Sequence, residues 1–295
     1  MARQIRTRLL GARLHEVWVG RADIVREGLG SISWYRDTLL QSVQRFGKSV
    51  VLGFVNEQAC RYVVAELGMT GLFLFRSVST KHPQHVHVRL LFESSREPEL
   101  RYWNPRRFGR LSLLDKTGLE RYLTRRFGVD PLLVSKQDFV KILRARRGRL
   151  KPLLMHQQVI AGIGNIYANE ILFRAGLHPN MQVARLSVWK IERLHTIMRE
   201  VLEEAILSGG SSVRDFFAPD GTQGQYKRHH LVYGKRDNLV QTAVGRLSDV
   251  SKASARRSYV ELVRFSDDRA KAGAVGLHWC IHGSFIRTSS EFSFG

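Results

Sequence analysis

The stretch Ala161-Gly162-Ile163-Gly164-Asn165 carries the residue types of an anion site. A glycine inside a helix costs about 1 kcal/mol relative to alanine, so two of them in a helical region call for a reason. Gly162 and Gly164 permit positive φ and close backbone approach. Asn165 is a preferred N-cap for the helical run IYANEILFRAG (166–176) that follows. Such a turn aims backbone N–H groups and an Asn amide outward at a helix N-terminus, an arrangement that binds phosphate. An ordinary helix–turn–helix corner has the same residue types, and the turn alone leaves both readings open. The charge balance favours phosphate: 47 Lys and Arg stand against 26 Asp and Glu, a net charge of +21. A polyanionic partner follows from that imbalance. The sequence has no run of 18 apolar residues, which favours nucleic acid over a membrane. Cys60 and Cys280 are the two cysteines and form neither a disulfide framework nor a CxxC pair. A reducing compartment is expected, the bacterial cytoplasm or nucleoid. The basic N-terminus MARQIRTRLLGARL precedes no apolar signal core.

Elements must position that turn. Before about residue 125 short alternating runs dominate. HVHVRLLF (85–92) puts Val86, Val88, Leu90 and Phe92 on one face, and SVVLGFV (49–55) has the β-branched content of a buried strand. These runs predict an α+β protein whose first domain, 1–125, is a sandwich of antiparallel strands. TRRFGVDPLLVS (124–135) reads as the inter-domain connection, with the linker placed at 126–137. From 138 the pattern is helical: KPLLMHQQVI reads as one short helix, and Ile191, Leu194, Met198, Val201 and Ala205 form one stripe of a longer one that stops at Gly209-Gly210.

Several segments, in order, resemble the formamidopyrimidine-DNA glycosylase family, the bacterial base-excision enzymes related to endonuclease VIII. GIGNIYANEILFRAGLHP resembles its helix–two-turn–helix signature, an element also found in a ribosomal protein and a topoisomerase. RFGKSVVLGF (45–54) resembles its strand with an active-site lysine, ELGMTGLFLF (66–75) its HLGMSG segment, and YWNPRRFGRL (102–111) its DPRRFG loop. GGSSVRDF with DGTQGQYKRHHLVYGK resembles the lesion-capping loop and the start of a C-terminal finger. The resemblance implies that Lys48 sits beside the abasic sugar. It implies that Met69 fills the stack vacated by an extruded base, Arg106 bonds the orphaned cytosine and Phe108 wedges the neighbouring step, as base flipping requires. Asn165 and Arg257 (Arg256 as the alternative) would grip phosphates, Arg214 and Asp215 would lie in the loop over the flipped purine, and Glu170 would brace the two helices.

Departures from the family pattern are equally specific. The family begins PELPEVET, with a proline amine as nucleophile and a glutamate after it. These 295 residues begin MARQIRTRLLG, part-way along the first helix of the alignment. A start called too late accounts for this, as does a truncated, non-catalytic protein. Glu66 stands where a phosphate-facing histidine is usual, and His156 where aspartate is common. The segment RDNLVQTAVGRLSDVSKASARRSYVELVRF has no cysteine, so the usual two CxxC pairs for zinc are missing. HWCIH (278–282) offers no second half-site. The expectation is therefore a helix–two-turn–helix domain over 138–224, a zincless finger-like hairpin over 225–265, an unassigned tail at 266–295, and neither metal nor cofactor. The expected function is excision of 8-oxoguanine and formamidopyrimidines from duplex DNA with cleavage at the abasic site, by a monomer. The rival is a non-catalytic binder of damaged DNA. An RNA-binding, ribosome-like protein is disfavoured because it has no use for LGMTG and NPRRFG.

Overall fold

The computed structural model describes residues 1–80, 82–93, 97–212 and 216–234. Helix α1 (Ala2–Leu9) opens the chain and buries Ile5 and Leu9. Nine strands follow: β1 (Arg13–Val19), β2 (Val25–Glu27), β3 (Thr38–Phe46), β4 (Ser49–Val55), β5 (Cys60–Glu66), β6 (Leu72–Phe75), β7 (Val86–Phe92), β8 (Glu99–Trp103) and β9 (Arg110–Asp115). They form one sheet in the order β2-β9-β5-β4-β3-β1-β7-β8-β6. All pairings are antiparallel except the short β2–β9 edge. The alternating runs read from the sequence are β4 and β7, and Val86, Val88, Leu90 and Phe92 are all buried.

The sheet is continuous yet behaves as two layers. The two halves are joined as strands where β1 pairs with β3, through Arg13↔Leu39 and Leu14↔Thr38. Leu52, Phe54 and Val63 from one half share a core with Phe73, Leu90 and Leu100 from the other. Closing a sheet over its own apolar face is how a sandwich removes that face from water. The outer face of β4, β5 and β9 places Val51, Val64 and Leu114 against Leu119 of α2 (Lys116–Arg126). Asp115 caps α2 by accepting from the Gly118 N–H.

The helical part has its own core, built on α3 (Lys136–Arg144), α4 (Leu150–Met155), α5 (Asn165–Ala175) and α6 (Val188–Leu207). Ser135 and Ser187 cap α3 and α6 through the N–H groups of Asp138 and Lys190. The stripe Ile191, Leu194, Met198, Val201 and Ala205 is fully buried, as its 3.6-residue spacing predicts. The helix expected over KPLLMHQQVI ends early, at Met155. Gln157 explains the stop. Its amide donates to the carbonyls of Met155 and Ile163 (2.8 and 3.0 Å) and accepts from the Gly162 N–H (2.8 Å). A side chain that satisfies loop backbone groups competes with continuation of the helix. Among the described residues no helix is long and apolar enough to cross a membrane.

Candidate nucleic-acid interface and active site

Two loops leave the sheet side by side, one after β5 (67–71) and one between β8 and β9 (104–109). Met69 is 61% exposed and Phe108 58% exposed, large apolar side chains held in water. Arg106 lies between them. Its Nη1 is 3.9 Å from the Met69 sulfur and its guanidinium carbon 4.6 Å from the Phe108 ring centre. The structure thus brings together the three residues that the sequence singled out from separate loops.

A buried polar hub holds these loops rigid. Asn104 is fully buried. Its Nδ2 donates to the Tyr102 hydroxyl (3.0 Å), its Oδ1 accepts from Thr70 (3.3 Å), and its carbonyl lies 3.0 Å from His87 Nε2. Because a carbonyl only accepts, Nε2 carries the proton. Burial lowers the His87 pKa, which keeps the ring neutral. The Tyr102 hydroxyl donates onward to the Glu66 carbonyl (3.1 Å), and burial raises its pKa so that the donor persists. The loops touch through glycines. Gly68 has φ +62°, and a Cβ there would sit 2.8 Å from the Gly109 nitrogen. A Cβ on Gly109 would overlap the Tyr102 hydroxyl and the Glu66 carbonyl oxygen. Sequence reading picked out the wedge but did not single out Asn104 and Tyr102, which lie in the same YWNPRRFGRL segment, nor His87 in the alternating run of β7.

Beside the wedge lies a cavity of about 540 Å³ whose lining includes Met1, Lys48, Gly68, Asn165, Tyr167 and Phe216. Lys48 stands between the Gly47 turn and the start of β4. The residue retains accessible surface, but packing around the ammonium strips part of its hydration, and this desolvation lowers its pKa. Gly164 is part of that packing: a Cβ there would lie 3.2 Å from Lys48 Nζ. Here the structure corrects the expected cap. Gly164, extended at φ −112° and ψ 178°, is the N-cap of α5 and makes no side-chain cap bond, while Asn165 is the first helical residue. The helix begins one residue later than an Asn165 cap requires, and Lys48 Nζ lies in the space beside Gly164. The glycine-rich turn therefore seats Lys48 as well as aiming the helix N-terminus at the cavity.

Lys48 also borders a neighbouring cavity of about 400 Å³ with Ser49, Glu66, Tyr122, Arg126 and His156. Glu66, a carboxylate where the family has a phosphate-facing histidine, is neutralised in place. Its Oε1 pairs with Arg26 at 3.3 Å and its Oε2 with Arg126. Glu170 is fully buried, and its role also differs from expectation. Instead of bracing two helices, its carboxylate accepts from the backbone N–H groups of Leu231, Val232 and Tyr233 at 2.8–3.1 Å. It anchors the backbone at 231–233. Arg214, Asp215, Arg256, Arg257 and the segments 235–265 and 266–295 lie outside the described residues. Phe216, 41% exposed and lining the Lys48 cavity, was not singled out by sequence reading although it closes the quoted GGSSVRDF segment.

The family model for the formamidopyrimidine-DNA glycosylase N-terminal domain matches residues 1–111, and that for the formamidopyrimidine-DNA glycosylase H2TH domain matches residues 127–217. The chain belongs to the formamidopyrimidine-DNA glycosylase family. The glycosylase of Brevibacillus brevis is 33% identical over 80% of this chain and 86% of its own length. That of Thermomicrobium roseum is 38% identical over 66% and 70%. Among solved structures, MutM (Fpg) from Thermus thermophilus matches with a TM-score of 0.69 and 33% identity, covering 79% of this chain and 84% of that one. The Lactococcus lactis Fpg bound to DNA containing an abasic site matches with a TM-score of 0.71 and 26% identity, covering 79% and 85%. This glycosylase family member is thus a base-excision repair protein with a β-rich N-terminal domain and a helix–two-turn–helix domain, and damaged duplex DNA is its partner.

Proposed function

We propose that this glycosylase removes oxidised purines, 8-oxoguanine and formamidopyrimidines, and cleaves the strand at the resulting abasic site. The observation that carries the reading is the exposed Met69–Arg106–Phe108 cluster beside a cavity that holds a partly desolvated lysine. Extruding a base costs a few kcal/mol of stacking, and a rigid apolar wedge replaces it. Arg106 then satisfies the unpaired cytosine, while Asn165 and the N-terminus of α5 take a backbone phosphate. Arg257 grips a second phosphate, and Arg214 and Asp215 close over the flipped base. The finger-like segment works without zinc, because 225–265 contains no cysteine. The protein acts as a monomer in the bacterial cytoplasm, at the nucleoid.

Strand cleavage needs an amine. The ring-opened abasic sugar presents an aldehyde at C1′. The neutral Lys48 amine attacks that carbon, and the carbinolamine loses water to give an imine. The imine acidifies C2′; loss of a C2′ proton with departure of the 3′ phosphate breaks the C3′–O bond. Hydrolysis of the imine returns the lysine. Desolvation favours the neutral amine, so the lowered pKa of Lys48 suits this step. Excision of an intact base is assigned to the proline amine of the PELPEVET segment. Cleavage of abasic duplex is expected to run through Lys48, because the opened sugar already presents the aldehyde that the amine attacks. The test is borohydride trapping on an 8-oxoguanine duplex, with this polypeptide and with one carrying an added PELPEVET and an exposed proline. Trapping of the extended form through proline supports the reading. Full activity of the shorter form identifies a different nucleophile, and an inert extended form favours the non-catalytic binder.

A further inference from the structure

We propose that Arg126 and Arg26, held by Glu66, form a binding site for a DNA backbone phosphodiester between the Lys48 cavity and the Met69 wedge. This rests on the DNA-repair reading above. Glu66 is the last residue of β5, registered opposite Ser49 of β4, and lies three positions before Met69. A lone carboxylate at that spot opposes a polyanion. Here it has a cation on each oxygen, Arg26 at 3.3 Å on one and Arg126 on the other.

The burial is graded in an informative direction. The Glu66 side chain is 20% exposed, whereas those of Arg26 and Arg126 are 52% and 44% exposed. The anion lies inside and the two cations outside. Exposed ion pairs contribute little to stability, so the bridge is poorly explained as a stabilising device. It is well explained as an orienting one. A carboxylate on one edge of a planar guanidinium leaves the remaining donors directed away from it, and a fork of donors matches a phosphate. The Arg126 guanidinium also lies over the Tyr122 ring, 5.8 Å from its centre, and the Tyr122 hydroxyl is 3.3 Å from Ser49 Oγ. Arg126 is therefore fixed on two sides. Arg26, Glu66 and Arg126 carry one net positive charge, and Lys48 and His156 border the cavity that Glu66 and Arg126 line.

The experiment is a double-mutant cycle read by binding to a duplex with a stable tetrahydrofuran abasic analogue, titrated against salt. With about six phosphate contacts the unmodified protein should give a log–log slope near −5. Arg126→Ala should weaken binding about tenfold and make the slope shallower by about 0.9, one phosphate's worth. Arg126→Lys, which keeps the charge and loses the fork, should fall between. Glu66→Ala should weaken binding about threefold in the unmodified protein and strengthen it in the Arg126→Ala background, where the carboxylate has lost one of its two cations. That reversal of sign is the signature of a positioning carboxylate. Tighter binding by Glu66→Ala alone, or an unchanged slope in Arg126→Ala, overturns the proposal. A slope near zero in the unmodified protein overturns the DNA reading itself. Thermal melting of each variant verifies that the fold is retained.

Discussion

The wedge loops and the glycine turn border one cavity but are built on different principles. The wedge loops, 67–71 and 104–109, stand on a buried hydrogen-bond hub of Asn104, Tyr102, Thr70 and His87, and only their tips are apolar and exposed. The turn at 161–165 has the opposite construction. No side chain caps α5, and space beside Gly164 is filled by the Lys48 ammonium. Intercalation needs stiffness, because a wedge that yields returns no stacking energy to the bases left in the duplex. An amine that must reach a sugar carbon needs room and partial dehydration instead. One region uses buried polar groups for rigidity, and the other uses missing side chains for access.

The sharpest way to break this contrast is through Lys48. Lys48→Ala should lower abasic-site cleavage on the order of 100-fold while binding changes little, since general and covalent catalysis by one group is worth that much. The pH dependence has a definite sign. Only the neutral amine attacks, and partial desolvation of the ammonium lowers the lysine pKa, so the rate should rise with pH from an onset below that of a fully hydrated lysine and then level off. Single-turnover cleavage across pH measures both effects. A rate with no alkaline rise removes Lys48 from the chemistry.

The hub is tested next. Gly109→Ala forces a Cβ into the Tyr102 hydroxyl and the Glu66 carbonyl, neither of which is a flexible side-chain end. Denaturant unfolding should show a loss of about 2–3 kcal/mol, the range for strain and broken buried polar networks. A loss under about 0.5 kcal/mol means the two loops are not locked together.

The tips should behave differently from their foundation. Phe108→Ala and Met69→Ala should each weaken binding to abasic duplex by roughly 1–3 kcal/mol, the scale of a lost stacking contact. Stability and binding to intact duplex should scarcely change, because both side chains are mostly exposed. Equal losses on both duplexes would place these residues outside base displacement. The smallest effect belongs to Gly164→Ala. Its backbone is extended and its Cβ meets only the end of the Lys48 side chain at 3.2 Å. Unfolding free energy should stay within about 0.5 kcal/mol, with abasic cleavage a few-fold slower as the ammonium is pushed aside. A change larger in stability than in cleavage would reverse the assignment of the turn.

What the sequence determined by itself was the local pattern. Val86, Val88, Leu90 and Phe92 alternate, and Ile191, Leu194, Met198, Val201 and Ala205 recur at helical spacing; all of them are buried in the structure. Period and burial are linked because a regular backbone turns its side chains by a fixed angle per residue. Met69, Arg106, Phe108 and Lys48 were legible for another reason: each lies in a short contiguous motif that resembles a known family. The tertiary structure alone decided what those motifs touch. Glu66 and Arg126 are 60 residues apart and meet only because β5 and α2 converge. Glu170 looked like a brace between helices, yet it serves backbone groups more than 60 residues later in the chain. Asn165 looked like a cap and is the first helical residue, and the space beside Gly164 holds the end of Lys48, more than 100 residues earlier in the chain. Desolvation, ion pairing and steric exclusion act through space, and their partners are set by the packing of elements rather than by the spacing of residues along the chain.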